Sequence, residues 1–90
     1  MKQMEAKTIL QEAQELVYND RNVDYGTVTA NFTKIAELWT PILGAKVTPE
    51  QVGLCMVQVK IARQLFKAKR DNLVDGAGYF ATLEKLSKGE

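Results

Sequence analysis

Four residues near the middle of the chain, Thr48-Pro49-Glu50-Gln51, spell out a helix start. The threonine hydroxyl can accept a backbone N–H of the first turn. Proline at the first helical position gives up no hydrogen bond there, and a glutamine three residues after the cap can return a bond to the cap's own N–H. The chain then runs apolar nearly all round from Val52 to Ile61 and keeps helical spacing to about Ala68. A helix that is apolar on most sides has to be enclosed by others. The segment therefore predicts the central element of an all-α protein. On that expectation Ile61→Ala or Leu65→Ala costs about 2–5 kcal/mol, out of a total of about 4–14 kcal/mol for a chain of this size. Val52, Val57, Val59 and Phe66 also point to more sides than three partner helices cover, which predicts a homo-oligomer, most simply a two-fold dimer.

Three further segments repeat the three-and-four spacing of an apolar stripe. The first spans about Gln3 to Tyr18, with Met4, Ala6, Ile9, Leu10, Ala13, Leu16 and Val17 inward, and the polar run Asn19-Asp20-Arg21-Asn22 is expected to stop it. Asp24-Tyr25-Gly26 reads as a loop, Thr27 as an N-cap, and Val28 to Leu43 as the second helix. Its inner stripe is Phe32, Ile35, Ala36, Trp39, Ile42 and Leu43; Pro41 should kink or tighten its end, and Gly44 should close it. The last helix is expected from Asn72 to about Ser87, capped by Asp71. Gly76 and Gly78 are unfavourable inside a helix, by about 1 kcal/mol each against alanine, and suggest a close approach or room for a ligand. No segment alternates as a strand does. The expectation is a single all-α domain over residues 1–90, a compact bundle of four helices with short loops.

Several function classes are closed off. Histidine is absent, so neither an imidazole base nor a His-ligated zinc site can be built, and the single cysteine, Cys55, excludes a disulfide framework. Cys55 has no basic neighbour on its turn and is expected to be an inert buried thiol. No stretch is long and apolar enough for a membrane span, and a lone cysteine suits a reducing compartment; the expected location is the cytoplasm. The net charge of +1 gives no bulk grip on nucleic acid. It is unevenly spread, however: residues 46–70 carry six cations against Glu50.

Those cations form the main polar constellation. Lys60, Arg63 and Lys67 fall on one side of the third helix, and Asp71 and Asp75 stand one turn apart on the next. A hairpin centred near Lys69-Arg70 brings Arg63 to Asp75 and Lys67 to Asp71. One reading is a salt-bridge network that fixes the register of two helices. The other is a polar cleft in which the cations hold a phosphate or carboxylate. Asp71 and Asp75 are weak candidates for holding Mg²⁺ together with substrate phosphates; no other cofactor is expected. Tyr25, beside Asp24 in the loop, could stack on a planar ligand. Glu12 and Glu15 match the Glu-x-x-Glu of the all-α nucleotide pyrophosphohydrolases, but the second acidic pair of that pattern is displaced here, so a solvated face is the better reading.

Taken together, Arg21-Asn22-Val23-Asp24-Tyr25-Gly26, Asn31-Phe32-x-x-Ile35-Ala36-x-Leu38-Trp39, Lys60-Ile61-Ala62-Arg63 and Asp71-Asn72-x-x-Asp75-x-x-Gly78-Tyr79 resemble a family of small phage- and prophage-borne helical proteins of unknown function. More loosely they are similar to the nucleotide-modification-associated helical domains of phages. The resemblance covers about residues 9–83. It implies a phage context, with the host cytoplasm as the location, and an all-helical fold, and by analogy it marks Asp24, Tyr25, Lys60, Arg63, Asp71, Asp75 and Tyr79. The leading expectation is a phage accessory protein that binds a nucleotide-like or phosphate-bearing ligand between the third and fourth helices. The alternative is an interaction module that inhibits or recruits a host protein, with the polar cluster as scaffold. A metal-dependent phosphohydrolase ranks third.

Overall fold

In the computed structural model, which describes residues 6–90, all regular structure is helical. The order is α1 (Ile9–Glu15), a π-helical turn (Leu16–Asp20), α2 (Arg21–Tyr25), α3 (Val28–Leu43), α4 (Pro49–Phe66) and α5 (Arg70–Ser87). Four helices of seven or more residues thus form the body, with the short π turn and α2 added. Gln3 and Met4, expected in the first helix, lie outside the described residues.

The helix starts follow from capping chemistry. Thr48 accepts from the Gln51 N–H while Gln51 accepts from the Thr48 N–H, the reciprocal pair expected from the sequence. Thr8 and Gln11 make the same pair at α1, and Thr27 caps α3 by accepting from the Ala30 N–H. α3 continues through Pro41 to Leu43 and ends at Gly44, whose φ of 69° is the left-handed conformation that closes helices.

Two boundaries differ from the sequence expectation. The polar run Asn19–Asn22 does not stop the first helix. The backbone widens into a π turn and continues to Tyr25, ending at Gly26, where φ is 75°. Past the π turn, Arg21 ties this stretch to the following segment: its side chain donates to Asn31 and to the Gly26 carbonyl. α5 begins at Arg70, before Asp71, and no side chain of its own caps it. The Lys69 N–H instead donates to Gln64 Oε1, from the preceding helix.

α4 and α5 form an antiparallel hairpin. α3 packs mainly on α4, and α1 with the π turn packs on α5. Val28, Phe32, Ala36 and Val52 make the core, with Ile35, Trp39, Val47, Tyr79 and Leu86 packed around it. Gly53 is where the hairpin closes most tightly: a Cβ there would lie 2.5 Å from Leu83 Cδ2 and 3.2 Å from Phe32 Cε2.

α4 is not enclosed. Val52, Gly53 and Val57 face inward, but Ile61 is exposed, Leu65 is 84% exposed and Phe66 93%. The molecule is 19 Å across its thinnest dimension, the depth of two helix layers at about 8–10 Å between axes. Four helices in two layers cover α4 on two sides only. The 2–5 kcal/mol expected for Ile61 or Leu65 therefore does not apply, and Cys55, expected to be buried, is exposed. Among the described residues, no helix is long and apolar enough to cross a membrane.

Candidate functional site

The break between the π turn and α2 sets Arg21 at a junction of three segments. Its Nη2 donates to Asn31 Oδ1 at 2.7 Å and its Nη1 to the Gly26 carbonyl at 3.4 Å. The guanidinium carbon lies 5.5 Å from the Tyr25 ring centre and 5.3 Å from that of Phe32, within cation–π range. Loss of water around the guanidinium pulls its pKa below the usual arginine value, with Tyr79 and Tyr25 acting in the opposite direction. It remains a cation at any ordinary pH.

Arg21 opens onto a cleft of about 330 Å³ between the π turn with α2 on one side and α5 on the other. Leu16, Val17 and Val74 supply apolar wall; Asp24, Tyr25, Asp75, Tyr79 and Thr82 supply polar groups. Gly78 forms part of the floor, where an added Cβ would touch Val17 Cγ2 at 3.5 Å. Lys60 reaches Asp75 from α4, Nζ to Oδ2 at 2.9 Å, with only 13% of its side chain exposed.

The π turn behind this cleft is held by a buried amine. Lys85, 5% exposed, donates to the Val17 carbonyl at 3.2 Å and lies 5.2 Å from the Tyr18 ring centre. A π turn shifts the helical hydrogen-bond ladder by one residue, and Lys85 serves one of the carbonyls in it. Tyr18 donates its hydroxyl to Glu84 Oε1 at 3.0 Å. That hydrogen bond is the main reason its pKa rises above 10.0, with burial and the Glu84 charge adding to it.

The structure sorts the residues singled out from the sequence into two groups. Asp24, Tyr25, Asp75 and Tyr79 share the cleft, and Lys60 joins them through Asp75. Arg63 and Lys67 lie near the hairpin tip beside Phe66, Lys69 and Asn72, and Asp71 is exposed in the first turn of α5. The cleft is thus bounded by α5 and the segment after α1, not by α4 and α5. The expected Arg63–Asp75 pair is replaced by Lys60–Asp75. Gln64 bonding Asn72, and Gly53 meeting Leu83, put the hairpin centre near Ala68. α4 ends at Phe66, so the register sits slightly earlier than a centre at Lys69-Arg70, and the cation opposite Asp75 moves back by about one turn. Glu12 and Glu15, expected on a solvated face, pair with Arg70 and Lys7. Among the described residues no three carboxylates or thiols stand together as metal ligands would.

Sequence reasoning passed over Arg21, which it took for part of a helix stop, together with its partner Asn31. Both belong to the quoted motifs, and that was the available signal. Lys85 gave none: a lysine near a helix end is ordinary in sequence, and only the packing of α5 against the π turn buries it. Chemically, the cleft offers a fixed guanidinium, two phenol rings and two carboxylates on an apolar floor.

The Gene 55 protein of Mycobacterium phage L5 is 39% identical over 85 residues, 92% of this chain and 54% of that protein. The Gene 55 protein of Mycobacterium phage D29 is 35% identical over 82 residues, 90% of this chain and 54% of its own length. The chain spans about half the length of these curated relatives. No solved structure matches it. Residues 8–87 match the domain of unknown function DUF6378, and on that match and its phage relatives the chain belongs to this small phage family.

Proposed function

We propose that this phage protein binds a small ligand combining a planar ring with a phosphate or comparable anion, a nucleotide-like molecule, in the cleft between the π turn with α2 and α5. The observation that carries the reading is Arg21. A partly desolvated guanidinium, held in place by Asn31 and flanked by aromatic rings, faces a cleft of ligand-binding size. Such a cation binds phosphate through its remaining N–H donors. Tyr25 and Tyr79 supply faces for a base, and Asp24 and Asp75 supply acceptors for amino or hydroxyl groups. Lys60, paired with Asp75, is a second cation for the anion when Asp75 turns to the ligand. Mg²⁺ would enter with the phosphate, through Asp24 or Asp75.

A thermal-shift panel of nucleotides, with and without Mg²⁺, tests this. Ligand at a hundredfold over Kd stabilises by about 2.7 kcal/mol, which in a domain of this size raises Tm by roughly 10–20 °C. Tyr25→Ala, at an exposed position, should abolish most of that response while leaving the unliganded Tm nearly unchanged. A panel that leaves Tm flat throughout overturns the reading and favours the interaction module acting on a host protein.

A further inference from the structure

The α4/α5 hairpin has two faces of opposite character. One carries Val52 and Val57 of α4 and Val74, Gly78 and Thr82 of α5, buried under α3, α1 and the π turn. The other carries Leu54, Ile61 and Leu65 of α4 and Leu73 and Phe80 of α5, all exposed, with Phe66 at the hairpin tip. At about 100° per residue, positions 54, 61 and 65 fall within about 40° of arc, and 73 and 80 within about 20°. Each set lies roughly a quarter turn, in the same rotational sense, from the residues through which its helix meets the other: Gly53, Lys60 and Gln64 on α4, Asn72 and Leu83 on α5. In an antiparallel pair that offset puts both sets on one side.

We infer that this face is the interface of a two-fold homodimer in which α4 lies antiparallel on its copy. Three observations choose a second copy as the occupant. The first is area: Leu54, Ile61, Leu65, Phe66, Leu73 and Phe80 together leave roughly 800 Å² of apolar surface in water, about what each partner contributes to a standard specific interface. The second is spacing. The stripe at 54, 58, 61 and 65 advances by four, three and four residues, a sequence that is the same in both directions. An antiparallel copy therefore sets Leu54 against the partner's Leu65 and Gln58 against the partner's Ile61, as an isologous contact requires. The third is charge. The same register brings the start of α4, where Glu50 stands, to the end of the seam at which the partner's Lys67 and the partner's Lys69 form the hairpin tip, so each end of the seam carries opposite charges. The pairing leaves the ligand cleft open, because that cleft lies on the other side of α5.

Sedimentation equilibrium at micromolar concentration should return twice the chain mass of 10.1 kDa. Leu65→Lys, at a position already in water in the single chain, should return the chain mass with an unchanged helical circular dichroism spectrum. The register has its own test. In a Cys55→Ser background, Leu54→Cys combined with Leu65→Cys should oxidise to a covalent dimer, while either cysteine alone should not. The two positions are about 16 Å apart along one helix, too far for a bond within a chain. A monomeric wild type, a dimer that survives Leu65→Lys, or a double-cysteine variant that forms no more covalent dimer on oxidation than the single variants would each overturn the proposal.

Discussion

The two sides of α5 treat their side chains in opposite ways. Toward α1 and the π turn, Thr82 and Lys85 are buried although one is polar and the other charged. Thr82 donates to the Gly78 carbonyl and Lys85 to the Val17 carbonyl, so each meets the requirement that a buried polar group be bonded. Toward the open side, Leu73 and Phe80 stay exposed although nothing polar argues for it. Residue type alone does not decide which side of a helix is inside. The reach of the neighbouring elements does, and here the longer path through the π turn and α2 goes to only one side of the hairpin.

The largest expected effect breaks this comparison most directly. Phe32, 2% exposed at the centre of the core, should lose about 3–5 kcal/mol on substitution by alanine. Leu65→Ala on the open face should stay within about 0.5 kcal/mol in the isolated chain. Urea midpoints for the two variants, taken in the Leu65→Lys-like monomeric regime at low concentration, settle it; similar losses would mean that the open face is covered within one chain. Next in size is a pair of glycines. Gly53→Ala pushes a methyl into Leu83 and Phe32 and should cost about 1–3 kcal/mol. Gly76→Ala meets nothing within 4 Å and should stabilise by about 0.4–1 kcal/mol. Thermal melts in which both glycines respond alike would show that the hairpin is not closest at Gly53.

The smallest effect concerns Tyr18, at the boundary between the two sides. Its hydrogen bond to Glu84 favours the protonated phenol, so the folded-state pKa stands above the 10.0 of the unfolded chain. The folded form therefore holds the proton more tightly. That contribution is fully present below pH 10 and is lost as pH rises through the raised value. Tyr18→Phe should remove this part of the alkaline decline in stability. Wild type and variant losing stability in parallel from neutral pH to above 10 would show that Glu84 does not hold the phenol proton.

Much of the architecture was legible because it rests on local chemistry. Thr27, Thr48 with Gln51, and Gly44 act through bonds to residues three or four away, so α3 spans the expected Val28–Leu43 and α4 starts where its cap says. The family resemblance was legible for the same reason, in short motifs. Burial was not, because apolar periodicity states which residues share a side and leaves open what covers that side; Ile61 and Leu65 were misjudged on this account. The site was half legible. Asp24, Tyr25, Asp75 and Tyr79 do gather, but the cation among them is set by register and by long-range packing. Arg63 gave way to Lys60 through a small displacement of the hairpin centre, and Arg21 enters because the helix did not stop where its polar residues suggested.

The π turn has a consequence for how this chain tolerates changes in length. Each hydrogen bond in a π turn spans five residues where an α-helix spans four, so Leu16–Asp20 accommodates one residue more than an α-helical path would. Losing a single residue there lets the ladder become regular again and leaves the downstream directions nearly where they were, because the wide turn already absorbs the extra residue; in a regular helix the same loss turns them by about 100° and draws them back by about 1.5 Å. Arg21, Asp24 and Tyr25 would keep their places at the cleft, and the change would fall on the bond between Lys85 and the Val17 carbonyl, inside the turn itself. A one-residue deletion, which ordinarily wrecks a buried helix, would here spare both the cleft and the scaffold.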